Sequence, residues 1–431
     1  MRTRHPDRIP SLVFADSRGR IIDFPDLQMA GSACGRITPV STADLIELPE
    51  GSELFVLPGR LPVGIDPATG KTVVLDEDPY GTETPQAVAA FMAPAHTAIH
   101  TAAYRSGEGA PLLPLFAYTA VGWHRDRFWV AGFRSDPDPR QDARRFNQEK
   151  IAARTRKALA RNPANRLIQH LGKCCLTYGC PAARNYFLGR WEAPLPSSPS
   201  CNAACVGCIS LQPSGCCPAT QDRIRFVPTP AEIAETAVPH LGKAPRPIVS
   251  FGQGCEGEPL LQAPTLEKAI RLIRKQTRRG TINLNTNGSR PEALSRLIDA
   301  GLDSIRVSLN SARREMHSRY YRPRDFSLEN VLDSMMLMKK AGRHVSLNYF
   351  ILPGFTDSPE EFDALCALVE QCRPDLIQLR NLNMDPEWYC RSLYHRPSSL
   401  PLGMRNWLDR LRARFPALRF GYFNPPIRDC D

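Results

Sequence analysis

The sequence predicts an α/β protein built on parallel strands, preceded by a region rich in short β-strands. Between about residues 200 and 395, short apolar runs alternate with longer segments whose apolar residues recur at helical spacing. This alternation is typical of parallel βα units, which can curl into a barrel. The first 140 residues instead contain short β-branched or aromatic runs bounded by Gly, Pro, Asp or Asn. We therefore expect two architectures in one chain.

The length of 431 residues corresponds to two or three domains. We expect a β-rich domain over 1–140, a basic helical connector with cysteines over 141–195, an α/β core over 196–395, and a C-terminal helix and strand over 396–431. Within the first domain, Pro67 and Gly70 indicate a hairpin turn. The alanine-rich segment 85–104 predicts a helix interrupted at Pro94.

The α/β core can be followed element by element. Strands are expected over 248–254, 281–288, 304–310, 344–354 and 375–383. Helices are expected in the segments between them, and three of these helices end at or near glycine, as helix C-termini commonly do.

Composition, charge and cysteine count already indicate a globular protein without a membrane-spanning helix. The hydrophobic share of 42% is ordinary for a globular protein, and the net charge is +11. No apolar run approaches the length of a membrane-spanning helix, and the first residues do not resemble a secretory signal. We therefore expect a cytoplasmic protein without membrane association. In a reducing compartment, 14 cysteines indicate metal binding or catalysis rather than disulfides.

The strongest chemical signal is the C-x3-C-x2-C run formed by Cys201, Cys205 and Cys208. Three thiolates on one loop can ligate three irons of a 4Fe–4S cluster. The fourth iron then keeps an open position, which suits a reactive site. Zinc is the main alternative, although structural zinc sites prefer paired C-x2-C units.

With this motif, residues 195–395 resemble the radical S-adenosylmethionine (SAM) superfamily; no subfamily is identified. The resemblance implies a partial (β/α)6 barrel, a 4Fe–4S cluster and SAM as cofactors. It also implies reductive cleavage of SAM to a 5′-deoxyadenosyl radical that abstracts hydrogen from a substrate. An external electron donor such as flavodoxin or ferredoxin would supply the electron. No cobalamin-binding pattern of the D-x-H-x-x-G kind is present, so we do not predict cobalamin.

Further residues extend the resemblance to the cofactor contacts. Five residues at a strand end are similar to the Gly-Gly-Glu-Pro motif that binds the methionine amino group, with a glutamate in place of its first glycine: Gly254, Glu256, Gly257, Glu258 and Pro259. Asn285 and Asn287 lie two apart, so both face one side of a strand. Ser308 and Asn310 repeat that spacing at the strand where the family meets the ribose, and Asn348 follows on the next strand. Gly207 replaces the usual aromatic residue before the third cysteine.

The surplus cysteines suggest a second metal centre. Five thiols flank the motif within about 45 residues, and we hypothesise an auxiliary iron–sulfur cluster drawn from Cys174, Cys175, Cys180, Cys216 and Cys217. The alternative is that they are simply buried.

The substrate is not encoded in a motif. Arg313 and Arg314 follow a core strand on the side where barrel active sites lie, and Arg380 follows another, so an anionic substrate is one expectation. The large N-terminal region favours a peptide or protein substrate. The alternative function is an iron–sulfur or zinc protein that binds nucleic acid through its positive charge, without radical chemistry.

Overall fold

The computed structural model describes residues 5–81, 83–212, 215, 217–397 and 399–428. Two compact units divide the chain, and both are discontinuous in sequence. The first unit comprises Met1–Pro137, Phe350–Ala364 and Leu379–Pro416. The second comprises Asp138–Tyr349, Leu365–Gln378 and Ala417–Asp431. No helix in the described residues is long and apolar enough to cross a membrane.

The first unit is built on a 13-stranded sheet, as the short β-branched runs predict. Its described strand pairs run antiparallel. The strands are β1 Ser11–Ala15, β2 Ile21–Ala33, β3 Arg36–Pro39, β4 Leu45–Glu47, β5 Glu53–Leu57, β6 Arg60–Ile65, β7 Thr72–Val74, β8 Gln86–Phe91, β9 His96–Ala98, β10 Thr101–Ala102, β11 Tyr104–Ser106, β12 Val121–His124 and β13 Arg127–Arg134.

One local prediction in this unit is confirmed and one is wrong. The hairpin joins β6 to β7, with Ile65 paired to Thr72 and Gly70 at a φ of +68°. The predicted helix over 85–104 is instead β8, β9, β10 and the start of β11. β8 pairs with β1 and β5, and its alanines are fully buried. Their small side chains let neighbouring layers approach closely, so tertiary packing overrides the helix propensity of alanine.

The helices lie mostly after residue 147. They are α1 Gln148–Arg161, α2 Arg166–Leu176, α3 Pro181–Leu188, α4 Pro230–Lys243, α5 Ala263–Gln276, α6 Pro291–Ala300, α7 Arg314–Tyr321, α8 Leu328–Lys340, α9 Pro359–Cys372, α10 Pro386–Ser392 and α11 Met404–Arg414. The helices predicted between the core strands correspond to α5, α6, α8 and α9. The α7 helix was not predicted; it is eight residues long, and its buried residues Met316, His317, Tyr320 and Tyr321 recur at helical spacing.

The second sheet is curled and has the strand order β14 to β20. Its strands are β14 Glu192–Pro194, β15 Ile248–Phe251, β16 Thr281–Thr286, β17 Ser304–Leu309, β18 His344–Ile351, β19 Leu376–Asn381 and β20 Arg419–Gly421. Its described pairings are parallel. The predicted α/β partial barrel, preceded by a β-rich region, is therefore confirmed. β14 was not predicted, because its three residues lie in a proline-rich stretch.

The two faces of this sheet differ in polarity. Val249, Ile282, Ile305 and Val345 are fully buried on the face that bears apolar side chains. The opposite face presents register rows of polar side chains, which include Ser250–Asn283–Ser304 and Ser308–Asn348. Because side chains alternate along a strand, a single register fixes both faces. Polar groups thus line one face of the sheet, and this face leads to the loops at the carboxyl ends of the strands.

Candidate functional site

The three motif cysteines lie in the irregular segment between β14 and α4, beside the carboxyl end of β15. The amide of Gly257 donates to Ser198 O at 2.7 Å, and the amide of Glu258 donates to Ser200 O at 2.8 Å. A Cβ on Gly257 would lie 2.0 Å from Ser200 O, so only glycine permits this approach. The residue before Cys201 is therefore held against the loop that follows β15.

The other side of the cysteine loop is held by the end of α7. Ala204 donates to Tyr321 O at 2.9 Å, and Val206 donates to Tyr320 O at 3.0 Å. Main-chain hydrogen bonds thus clamp the motif from two directions. Backbone held in this way gives three thiols a defined separation before any metal binds.

The thiols form a mutually interacting group that favours a cation. Burial raises the pKa of Cys201 to about 11, with a further contribution from the nearby Glu258 carboxylate. Burial also raises the pKa of Cys205, and the neighbouring Cys208 and Cys201 raise it further. Three neighbouring thiolates need positive charge to coexist in such a site, and bound metal ions would supply it.

Arg223 is a functional candidate that sequence reasoning missed. Its Nη2 lies 3.4 Å from Cys208 Sγ, and its Nε donates to Ser210 Oγ at 3.1 Å. It follows the motif by 15 residues in an irregular loop, where no periodicity or spacing marks it. A guanidinium at this position would stabilise negative charge on the Cys208 sulfur.

We expect Arg223→Met to lower the reduction potential of the bound cluster. The substitution removes a positive charge and a hydrogen-bond donor from the ligand sulfur, which favours the oxidised, less negative cluster. A redox titration followed by electron paramagnetic resonance measures the shift. Arg223→Lys keeps the charge and should shift the potential less. Equal potentials in all three proteins would show that Arg223 does not act on the cluster.

Glu256 fastens the strand-end loop to the chain that leads into the motif. Its two carboxylate oxygens accept bonds of 2.7–3.0 Å from the amides of Ser197, Ser198, Gly252 and Gln253 and from the Ser197 hydroxyl. Two carboxylate oxygens offer about four lone-pair sites. The five protein donors therefore use the hydrogen-bonding capacity of the Glu256 carboxylate. Glu256 is also the residue at which the motif departs from the family pattern.

Glu258 lies closer to the cysteines. Its oxygens accept from Thr286 Oγ1 at 2.6 Å, from the Asn287 amide at 2.8 Å and from the Leu260 amide at 3.0 Å. Burial raises its pKa to about 7. An ammonium group placed beside it would favour the carboxylate form, which is the chemistry expected of this motif. Gly254 and Pro259 flank this loop, and Pro259 begins a short 3-10 helix.

Asn287 supports the motif through a second asparagine. Its Nδ2 donates to Asn202 Oδ1 at 2.9 Å, and Asn202 Nδ2 donates to Asp325 Oδ1 at 2.8 Å. Asn202 lies within the motif itself, directly after Cys201. The sequence shows the two residues 85 positions apart, with no signal that they meet.

Asn285 and Asn348 carry polar atoms suited to a ligand. Asn285 Oδ1 accepts from Asn283 Nδ2 at 2.9 Å, whereas Asn285 Nδ2 and Asn348 Oδ1 are buried without a hydrogen-bond partner in the described part of the chain. Buried polar atoms normally find partners. Both residues lie on the polar face of the sheet, so polar groups of a bound cofactor would satisfy them.

The remaining predicted contacts are more dispersed. Ser308 is paired in register with Asn348, and Asn310 Nδ2 donates to Met316 O at 3.2 Å. Arg313 precedes α7, and Arg314 forms an ion pair with Glu329. Arg380 lies on β19, in the part of the chain assigned to the first unit.

In the described part of the chain, the cysteines of the hypothesised second cluster do not meet as one group of metal ligands. Cys175 Sγ lies 3.4 Å from Thr155 Oγ1 on α1. Cys174 instead lies with Cys255 and His170. Cys180 caps α3, and its amide donates to Cys174 O at 3.1 Å. Cys217 is buried, and Cys216 lies outside the described residues.

A cysteine triad clamped at the carboxyl ends of a parallel partial barrel, beside a buried carboxylate, is an arrangement suited to holding an iron–sulfur cluster. The model of the Radical SAM superfamily matches residues 195–366. This match covers about two-fifths of the chain and identifies residues 195–366 as a region of the radical SAM type, a superfamily whose members are enzymes. The match implies a 4Fe–4S cluster and SAM, and the triad, the Glu258 carboxylate and the two unpartnered amide atoms fit these groups.

The individual proteins that the chain resembles share little sequence identity with it. The FeMo cofactor biosynthesis protein NifB from Klebsiella pneumoniae is 24% identical over 178 residues, which are 38% of each chain. The chain therefore matches about two-fifths of the length of that curated relative. The FeFe-hydrogenase maturase HydG from Carboxydothermus hydrogenoformans is 15% identical, with a TM-score of 0.36 and coverage of 63% of this chain and 70% of that one. A radical SAM methyltransferase from Sphaerobacter thermophilus is 15% identical, with a TM-score of 0.37 and coverage of 54% and 66%.

Proposed function

We propose that this protein cleaves SAM reductively and uses the resulting radical to abstract hydrogen from a substrate. The observation that carries the proposal is the triad Cys201, Cys205 and Cys208, held by main-chain hydrogen bonds beside the carboxyl end of β15. When bound, the reduced cluster and SAM supply a 5′-deoxyadenosyl radical. The protein supplies position and electrostatics.

The roles of the residues follow from their surroundings. The three thiolates would hold three irons, and Arg223 balances charge at Cys208. Glu258 provides a buried negative charge for the amino group of SAM, while Asn285 Nδ2 and Asn348 Oδ1 offer a donor and an acceptor on the polar face of the sheet. Gly257 brings these two parts of the site together by leaving room for Ser200 O.

The test is formation of 5′-deoxyadenosine by the anaerobically reconstituted full chain, given SAM and a reductant. We expect the product with the unchanged protein and none above background with Cys201→Ala, because the cluster loses a ligand. Cys372→Ala is the matched control, since this buried thiol lies at the end of α9 and outside the triad. Product from Cys201→Ala at the unchanged rate, or none from the intact protein, would exclude the proposal.

We propose that the electron comes from an external donor of the flavodoxin or ferredoxin class. We propose the cytoplasm as the site of action, because the cysteines in the described part of the chain are free and a cluster needs reduced thiolates. For the substrate we propose a peptide or protein side chain, since the β-rich first unit offers a large additional surface. Arg314 pairs with Glu329, which argues against an anionic substrate at this residue.

We propose in addition a second metal centre outside the motif, drawn from Cys174 and its neighbours. Its support is the convergence of Cys174, Cys255 and His170 in the second unit. Radical chemistry at the motif does not require it, so the two proposals stand or fall separately.

A further inference from the structure

Three metal-ligating side chains converge away from the motif, in a buried region of the second unit. Each residue offers one ligand atom: a ring nitrogen of His170, Cys174 Sγ and Cys255 Sγ. These three atoms all lie within 4.8 Å of one another. His170 Nε2 is 3.5 Å from Cys174 Sγ. Cys174 and Cys255 are 2% and 5% exposed. Such a group needs an explanation, because two thiols and an imidazole are strong ligands for soft cations.

Local structure brings two of the ligands together and tertiary structure adds the third. His170 and Cys174 are four residues apart on α2, so both side chains project from one face of the helix. Cys255 comes from the loop after β15, where its carbonyl accepts from the Ile224 amide at 2.8 Å. The side chains of Ile168, Leu171 and Phe187 pack around the thiols and form an apolar shell.

We propose that His170, Cys174 and Cys255 bind a single soft divalent cation of the zinc type. This rests on the second metal centre proposed above and specifies its ligands and its nuclearity. In a tetrahedral site with metal–sulfur distances of about 2.3 Å and metal–nitrogen distances of about 2.0–2.1 Å, the nitrogen and sulfur lie about 3.5 Å apart. The observed separation of 3.5 Å agrees with that geometry.

The same separations disfavour an auxiliary 4Fe–4S cluster at this place. In a cluster each ligand binds a different iron, so the ligand atoms stand farther apart than ligands sharing one ion. Cys175, which was included in the cluster hypothesis, contacts Thr155 instead. Cys180 packs against the same apolar cluster and is the candidate for the fourth position. A fourth ligand would complete a closed structural site, whereas water there would leave it open.

The position of the site indicates its role. Cys255 directly precedes Glu256, which fastens the strand-end loop, and Glu258 follows two residues later. A metal ion joining α2 to Cys255 would fix this loop against the helical layer. His170, Cys174 and Cys255 are thus positioning residues for the SAM-binding loop.

The test uses Co²⁺ as the probe, in the full chain with Cys201→Ala, Cys205→Ala and Cys208→Ala. This background removes the motif ligands, so its result is independent of radical chemistry. We expect about one Co²⁺ per chain, with the visible bands of a tetrahedral ion and a thiolate charge-transfer band. His170→Asn, Cys174→Ala and Cys255→Ala should each weaken binding by at least about tenfold, or 1.4 kcal/mol. Cys180→Ala reports on the fourth position: a weaker charge-transfer band indicates a ligand, and an unchanged band indicates water.

Controls separate loss of a ligand from loss of the fold. His170 is only partly buried, so His170→Asn leaves the apolar cluster intact. Cys366→Ala removes a buried thiol on α9 and should leave the Co²⁺ bands unchanged. Absence of tetrahedral Co²⁺ bands, or full binding by folded His170→Asn, overturns the proposal. About four irons with sulfide in this background would replace the single ion by a cluster and overturn it as well.

Discussion

Gly257→Ala is expected to abolish both cluster retention and 5′-deoxyadenosine formation. The new methyl group would lie 2.0 Å from Ser200 O and 2.5 Å from its carbonyl carbon, and both are backbone atoms. Relief requires breaking the hydrogen bonds from Gly257 to Ser198 and from Glu258 to Ser200. Overpacking typically costs about 1–3 kcal/mol, and a collision with backbone belongs at the upper end or beyond. The thiol of Cys201 then loses its fixed position beside the strand end.

Iron content after reconstitution and product yield measure this effect. Gly242→Ala is the matched control, because Gly242 lies in α4 with nothing within 4 Å of the added Cβ. It should leave iron content unchanged, and the helix should gain about 1 kcal/mol from the better helix former. A Gly257→Ala protein with full iron content and activity would show that the close approach is not needed.

Asp303→Ala is expected to give the largest loss of stability in the second unit. Asp303 is 2% exposed and forms ion pairs with Arg274 and with Arg428, the latter at 2.6 Å. Its Oδ2 also accepts from the Ile282 amide at 2.8 Å. Alanine leaves two guanidinium groups facing each other without their shared carboxylate. Removing one partner of a buried ion pair typically costs about 3–5 kcal/mol.

A urea unfolding transition of the apoprotein measures this loss as a lower midpoint. The matched control is Asp409→Ala, which removes a carboxylate that is 72% exposed and pairs with Arg412 at 3.6 Å. Exposed pairs contribute about 0–1 kcal/mol, so the midpoint should hardly move. Equal midpoints for the two variants would mean that the buried pair does not stabilise the fold.

Much of the fold was accessible from local patterns. Parallel strands and the helices between them differ in the spacing of their apolar residues. This difference identified six of the seven sheet strands, β15 to β19 and the tail strand β20. The missing β14 is three residues long and ends in proline, too short for any period to show. The prediction for the alanine-rich segment was wrong because the local signal was strong but misleading. Its helix propensity is high, and pairing with the neighbouring strands β1 and β5 holds it extended.

Some residues of the candidate site could likewise be recognised from local patterns, and others could not. Cys201, Cys205 and Cys208 could be recognised because their spacing along one loop is itself the chemical requirement for a cluster. Arg223 and Asn202 could not be recognised, since an arginine or asparagine in a loop has no local pattern that states its contact. Glu256 was expected beside SAM on the basis of its place in the motif, whereas its hydrogen bonds go to the protein backbone.

The sequence by itself indicated the radical SAM type of residues 195–366, the kind of fold and the motif of three cysteines, because each depends on residues close together in the chain. Only the tertiary structure decided which cysteine meets which partner. Cys174 and Cys175 are adjacent, yet they project from α2 in different directions, one towards Cys255 and the other towards Thr155. Successive helix residues are turned by about 100°. Whether a side chain on α2 meets another metal-ligating residue therefore depends on how elements distant in sequence pack together.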